Sequence, residues 1–226
     1  MQKFISALSK VEGMATISMI GENHNDPDGE VKLERLLQNL NPEFVLLEGS
    51  ESTYNAQVMY LAARKKEIDS QKPDEEMAEV LLATQTPKGF STRATSTYCR
   101  INKSTKMVYF DDQFEHRTEE EINGLCKRTV RDFMKDYSKE LAGRMLSALR
   151  IQMEAFYKLS DSALKANKDQ ILWSFVTEWH IGDRDQLMEE KLRKVIEEHR
   201  PNKIATVTGI KHIIRLPNST FAVMGK

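Results

Sequence analysis

The chain has 226 residues, 40% hydrophobic and 30% charged, with 33 basic against 34 acidic residues and a formal net charge of -1. That balance supports a sizeable core in a single domain spanning 1–226, and it lacks the basic footprint of a nucleic-acid binder. No apolar run reaches the roughly 18 residues a membrane span needs, and two widely separated cysteines, Cys99 and Cys126, fit a reducing cytoplasm better than a disulfide scaffold.

Residues 1–12 suit a short helix or a peripheral strand, with too short an apolar stretch for a secretory signal. A β-like run from Met14 to Ile20 then turns sharply at Gly21. This puts Glu22 and His24 at the C-terminal end of a strand, where open α/β sheets bind their ligands. His24-Asn25-Asp26-Pro27-Asp28-Gly29 is rich in turn formers. Val31, Leu33, Leu36, Leu37 and Leu40 recur at near-helical spacing until Asn41-Pro42. Glu43 to Glu48 is a nearly continuous apolar run, as a strand covered on both faces requires. It ends in Glu48, so a carboxylate stands where the first strand places its histidine. Strand, helix and strand with short connections imply a right-handed crossover and parallel neighbours.

Ser50 or Ser52 caps a helix expected to reach about Lys66, with Val58, Leu61 and Ala62 on its buried side. A second helix is expected from Pro73 to Thr84, where Asp74, Glu75 and Glu76 suit the positive end of the dipole. Phe90, Ala94, Tyr98 and Ile101 have helical spacing, yet the many serines and threonines between Gly89 and Asn102 leave that stretch open. Lys106 to Asp112 reads as a strand ending in carboxylates. From Arg117 to His199 the chain is helical in character. Leu141, Met145, Leu149, Met153, Phe156 and Leu159 form an apolar stripe there. A last helix from Asp185 to His199 turns Leu187, Leu192, Val195 and Ile196 inward. Lys203 to Thr208 is the last core strand, and residues 213–224 suit a terminal hairpin. The expected fold is α/β: a central, mostly parallel sheet flanked by helices, with a large helical insertion at about 117–182 before the last core strand.

Two strands therefore end in Gly-x-x-His: Gly21-Glu22-Asn23-His24 and Gly209-Ile210-Lys211-His212. If they are parallel neighbours, about 4.8 Å apart, their imidazoles converge on one point. Of the five histidines, only His24 and His212 have this context; His199 ends a helix, where the dipole accounts for it. Glu22 and Glu48 supply carboxylates at the same rim. Neutral imidazoles with carboxylates suit a divalent ion such as zinc or manganese. A carboxylate can equally orient an imidazole that takes a proton from water, and spacing leaves both chemistries open. Asp111 either joins this rim or caps the next loop. Arg184 stands at a helix start, where a cation is unfavourable. That points to an anionic substrate group or an oxyanion, or to an ion pair with Asp183 or Asp185.

These residues in this order resemble the TraB/TIKI, ChaN and erythromycin esterase superfamily, marked by two Gly-x-x-His motifs, a glutamate and an arginine. The first motif, Gly-Glu-x-His, is most similar to the ChaN-type branch; the esterases place one more residue between glutamate and histidine. The resemblance implies a mixed α/β fold with helical insertions. By branch, it implies metal-dependent proteolysis, ester hydrolysis by a histidine-activated water, or haem binding. Carried over, it implies His24, Glu48 and His212 as the central cluster and the metal ligands, with Glu22 beside them and Arg184 as electrostatic support. The expected function is a metal-assisted hydrolase of a peptide or a small ester or amide, with no nucleic-acid or membrane partner. The alternative is a haem- or small-ligand-binding protein, or an inactive interaction protein, on the same fold.

Overall fold

The computed structural model describes residues 5–10, 15–85, 90–111, 118–136, 138–166, 181–210 and 212. Within them, β1 (Ile5–Lys10), β2 (Thr16–Glu22), β3 (Phe44–Leu47), β4 (Lys106–Tyr109) and β5 (Lys203–Gly209) form one sheet in the order β1-β2-β5-β3-β4. β1 runs antiparallel along β2 at one edge, which resolves the ambiguity of the first residues in favour of a peripheral strand. The other four strands are parallel. The fold is α/β with a mostly parallel sheet, as its sequence pattern indicates.

One expectation is overturned. β2 and β3 are parallel but not neighbours, because β5 lies between them, paired with β2 on one side and β3 on the other. A crossover helix favours direction and hand, but it does not fix how many strand positions are skipped. The position skipped goes to β5, whose residues from Ile204 to Gly209 are all buried.

Alternation along the strands builds two cores. Ile17, Met19, Phe44, Leu46 and Ile204 pack against Met188, Leu192 and Val195 of α7 (Ile181–His199). On the opposite face, Ile20, Val45, Leu47, Ala205 and Val207 pack against Leu33 and Leu37 of α1 (Gly29–Leu40) and against Phe90, Ala94 and Tyr98 of α4 (Phe90–Ile101). Strands covered on both faces have no solvent side, hence the unbroken burial of β3. The stretch left open by its serines and threonines is thus helix α4, with Ile101 68% exposed rather than in the apolar row. Gly29 opens α1 against the Phe90 ring, where an added Cβ would lie 2.6 Å from two ring carbons. Gly29→Ala is expected to push α1 and α4 apart at a cost of about 1–3 kcal/mol. The denaturant midpoint should fall at an unchanged slope; a wild-type midpoint would mean that Phe90 swings aside freely.

Helix ends follow local chemistry. α1 stops where Asn41 turns left-handed (φ 47°) and returns its amide to the Leu37 carbonyl, just before Pro42. Ser50 caps α2 (Glu51–Gln71), accepting the Thr53 amide at 3.3 Å, and the helix runs past Lys66 to Gln71. Its buried row is Tyr60, Arg64 and Ile68, whereas Val58 and Ala62 are exposed. The expected face was wrong because α2 packs on α5 (Glu119–Asp136) and α3 (Glu75–Gln85) rather than on the sheet. Arg64 joins all three helices. It donates Nε to the Leu81 carbonyl at 3.1 Å, and Nη1 to the Tyr60 hydroxyl at 3.3 Å and the Thr129 hydroxyl at 3.4 Å. Burial lowers its pKa, while Tyr60 acts in the opposite sense. Thr118 and Glu121 close a capping box at the start of α5, with amide-to-side-chain distances of 3.2 and 2.7 Å.

α6 (Lys139–Ala166) follows α5, and the two form the described part of the helical insertion. Leu146, Met153 and Tyr157 make its buried face; Leu159, assigned to the stripe by sequence, is 65% exposed. Two residues beyond Tyr157 is about 200° around a helix, which puts Leu159 on the far side. α7 begins at Ile181, a turn earlier than its periodicity shows. Among the described residues no helix is long and apolar enough to cross a membrane. The hairpin expected over 213–224 lies outside the described residues.

Candidate functional site

Parallel pairing sets Glu22 of β2 opposite Gly209 of β5, so the two Gly-x-x-His motifs leave the sheet side by side. On the other flank of β5, the Glu48 amide still donates to the Val207 carbonyl at 2.9 Å as β3 ends. Gly209 thus sits among Glu22, His24, Glu48 and His212. A Cβ added to it would lie 3.3 Å from His24 Nε2, 3.3 Å from Glu48 Oε2 and 3.8 Å from His212 Cδ2. His24 and His212, at opposite ends of the sequence, are brought together as expected. The hydrogen in place of a side chain at Gly209 keeps open the space that they and Glu48 surround.

Two carboxylate–imidazole pairs result. Glu22 is 2% exposed, and its Oε1 lies 3.0 Å from His24 Nδ1. A carboxylate at Nδ1 holds the proton there and leaves the lone pair on Nε2, the nitrogen beside Gly209. Glu48 Oε1 lies 3.4 Å from His212 Nε2, and Glu48 Oε2 accepts the Gly209 amide. The His212 side chain is almost wholly buried, whereas that of His24 keeps 25% exposure and is the one open to a ligand. Glu22 Oε2 is buried and takes no hydrogen bond among the described residues.

The loop carrying His24 is held from several sides. Asn23 Oδ1 accepts the Asn25 amide at 3.0 Å, and Asp26 Oδ1 accepts the Asp28 amide at 3.0 Å. Lys32 Nζ reaches both Asp26 carboxylate oxygens, at 3.0 and 2.8 Å. From α6, the Tyr157 hydroxyl accepts the Asn23 amide at 3.2 Å and lies near the Asp26 carboxylate. Sequence reasoning missed Asp26, Lys32 and Tyr157. Asp26 reads as a turn former, and Tyr157 stands beside Phe156 in a stripe that reads as core. One signal was present: Lys32 is a cation in the first turn of α1, where the dipole disfavours it, and its partner is Asp26.

A divalent ion such as zinc or manganese suits these donors chemically. His24 Nε2 and Glu48 Oε2 lie equally far from one point that Gly209 keeps clear. As the side chains stand, with Glu48 Oε1 turned to His212, no group of three or more His, Cys, Asp or Glu among the described residues is arranged to hold an ion.

Asp111 is buried just after β4, which lies on the far side of β3 from β5, and it is not among the groups nearest Gly209. His199 stacks on Phe44, with centroids 5.0 Å apart, at the N-terminal edge of β3. α7 therefore starts over the opposite edge, where Glu48 and Gly209 are. Arg184 lies in that first turn; its side chain, like His116 and His180, is outside the described residues. No family model, curated protein or solved structure matches this chain.

Buried acids give the fold an alkaline limit. Burial raises the phenol of Tyr157 above its ordinary 10.0, with Asp26 adding to the effect. Burial likewise raises Tyr109 and Tyr98, and the thiols of Cys99 and Cys126. Above their unfolded values, starting near the 9.0 of a free thiol, the unfolded chain loses protons that the folded chain keeps. Stability is then insensitive to these groups at lower pH and falls as pH rises, by up to about 1.4 kcal/mol per pH unit for each group titrating. Urea unfolding between pH 8 and 11 should show the decline, and Tyr157→Phe should flatten it. A midpoint constant across that range would contradict the burial of these groups.

Proposed function

We propose that the protein is a hydrolase that cleaves an amide or ester bond at the C-terminal ends of β2, β5 and β3, in the manner of the superfamily its motifs resemble. The observation that carries this reading is the Glu22–His24 pair, 3.0 Å apart. With its Nδ1 proton held by Glu22, His24 presents Nε2 as a general base to a water beside Gly209. His24 takes a proton from that water, and its oxygen adds to the substrate carbonyl. As the tetrahedral intermediate collapses, His24 returns that proton from Nε2 to the departing amine or alcohol, which resets the imidazole, while the buried Glu48–His212 pair frames the space at Gly209. Arg184 is assigned to the developing oxyanion. The substrate class is a peptide or a small ester or amide. The free Cys99 and Cys126 support a cytoplasmic location.

A second reading adds a divalent ion, favoured by the space at Gly209 that His24 Nε2 and Glu48 Oε2 share. Zinc or manganese would be held by His24, Glu48 and His212, and when bound would acidify water and polarise the carbonyl. The test is a panel of ester and amide substrates, assayed before and after chelation, with elemental analysis and an absorption spectrum of the purified protein. Hydrolysis that survives chelation supports His24 as the base. Stoichiometric zinc or manganese, with activity lost on chelation and restored by the metal, supports the ion. A Soret band without hydrolysis would replace the hydrolase reading with haem binding.

A further inference from the structure

We propose that α6 is a strap that positions His24, acting through the Tyr157 hydroxyl. Glu22 belongs to the β2 ladder and is fixed by it, whereas His24 lies beyond the ladder in a turn. Asn23 is the single residue between them, so its backbone direction sets the Glu22–His24 contact. The Asn23 amide donates to Tyr157 at 3.2 Å across the sequence separation between the first loop and α6. Tyr157 is 7% exposed, and the Asp26 carboxylate lies near its hydroxyl. Asp26 is in turn held by Lys32, whose Nζ lies 5.6 Å from the Tyr157 ring centroid.

The same face of α6 holds the second motif. Met153 and Tyr157 cluster with Ile210, the residue between Gly209 and the His212 end of the motif, and Phe156 packs against them. Two turns before Tyr157, Arg150 donates Nε and Nη2 to Asp28 Oδ1, each at 3.3 Å, and Nη2 also reaches Glu79 at 2.9 Å. Positions 150, 153 and 157 recur at the spacing of one helical face. One rigid element therefore grips the loop of the first histidine and the root of the second, and fixes their separation. Tyr157 acts on His24 through Asn23, which makes it a positioning residue. Its chemical consequence rests on the hydrolase reading; its structural consequence does not.

The test is Tyr157→Phe in the full chain, which keeps the ring and removes the hydroxyl. Two NMR readouts report the strap directly: hydrogen exchange at the Asn23 amide, and the imidazole nitrogen shifts of His24, which reveal the tautomer. Exchange at Asn23 should quicken about three- to tenfold, the loss of one hydrogen bond, while amides in β3 keep their protection. The His24 nitrogens should move from one dominant tautomer towards an average. Asp26→Asn leaves the tyrosine in place and weakens its anchor, and should shift both readouts the same way; it decides the matter if Tyr157→Phe does not fold. Wild-type exchange and wild-type His24 shifts in either folded variant would overturn the strap. If wild type hydrolyses ester or amide, Tyr157→Phe should lower kcat about tenfold at constant KM. Hydrolysis with an unmoved His24 refutes the strap alone; a displaced His24 without wild-type hydrolysis refutes the hydrolase alone.

Discussion

His24→Asn should reduce hydrolysis by about 10²–10⁴-fold, the range for removing a positioned general base, while leaving the melting temperature within a few degrees. Asparagine is the informative substitution because its amide nitrogen replaces Nδ1 as a donor to Glu22 Oε1, now 3.0 Å from the ring. It has nothing in the place of Nε2. Alanine is less clean. It would leave Glu22, 2% exposed and with no partner for Oε2 among the described residues, without its hydrogen bond to His24, and an orphaned buried acceptor costs about 1–3 kcal/mol. The pair of variants separates chemistry from folding: His24→Asn should lose rate alone, His24→Ala rate and stability together. Full activity in His24→Asn would remove the base from the mechanism.

Glu48→Ala should be the most destabilising change at the site. One carboxylate accepts the Gly209 amide and faces His212 Nε2 at 3.4 Å. Gly209 and His212 are both buried, so water does not readily replace what is lost. Hydrogen bonds to a charged group contribute about 1.5–3 kcal/mol, and for a chain of this size each 1 kcal/mol moves the melting temperature by about 2–4 °C. Glu48→Gln keeps an acceptor for Gly209 and removes only the charge that faces His212. Its stability loss should be smaller, yet its hydrolysis should fall because the Glu48–His212 contact that frames the space at Gly209 is weakened. A Glu48→Ala protein that melts with wild type would show that the carboxylate does not tie β5 to the end of β3.

Much of this arrangement is legible locally. Gly21 and Gly209 each end a run of apolar strand residues, so both histidines are placed at strand ends by turn chemistry alone. Ser50 and Asn41-Pro42 mark helix boundaries for the same reason, since a cap needs only its own neighbours. Phase on a helix is less secure. Tyr60, Arg64 and Ile68 are the buried row of α2, and Leu146, Met153 and Tyr157 that of α6. In both, a polar or amphipathic side chain takes a core position that an apolar count assigns to its neighbour. Arg64 is accommodated there because the Leu81 carbonyl receives its Nε and the Tyr60 and Thr129 hydroxyls its Nη1.

The sequence by itself determined the α/β class, the strand ends at Glu22, Glu48 and Gly209, and the helical insertion ahead of β5, because each follows from periodicity and turn residues within one segment. Only the tertiary structure decided that β5 enters between β2 and β3. That placement gives Glu48 the Gly209 amide and His212, and leaves His24 to Glu22. Strand order depends on ladders between distant segments, and those are set by which faces bury together. The grip of Tyr157 on Asn23 belongs to the same class of contact: it joins a turn to a helix far along the chain, and no spacing within either segment encodes it.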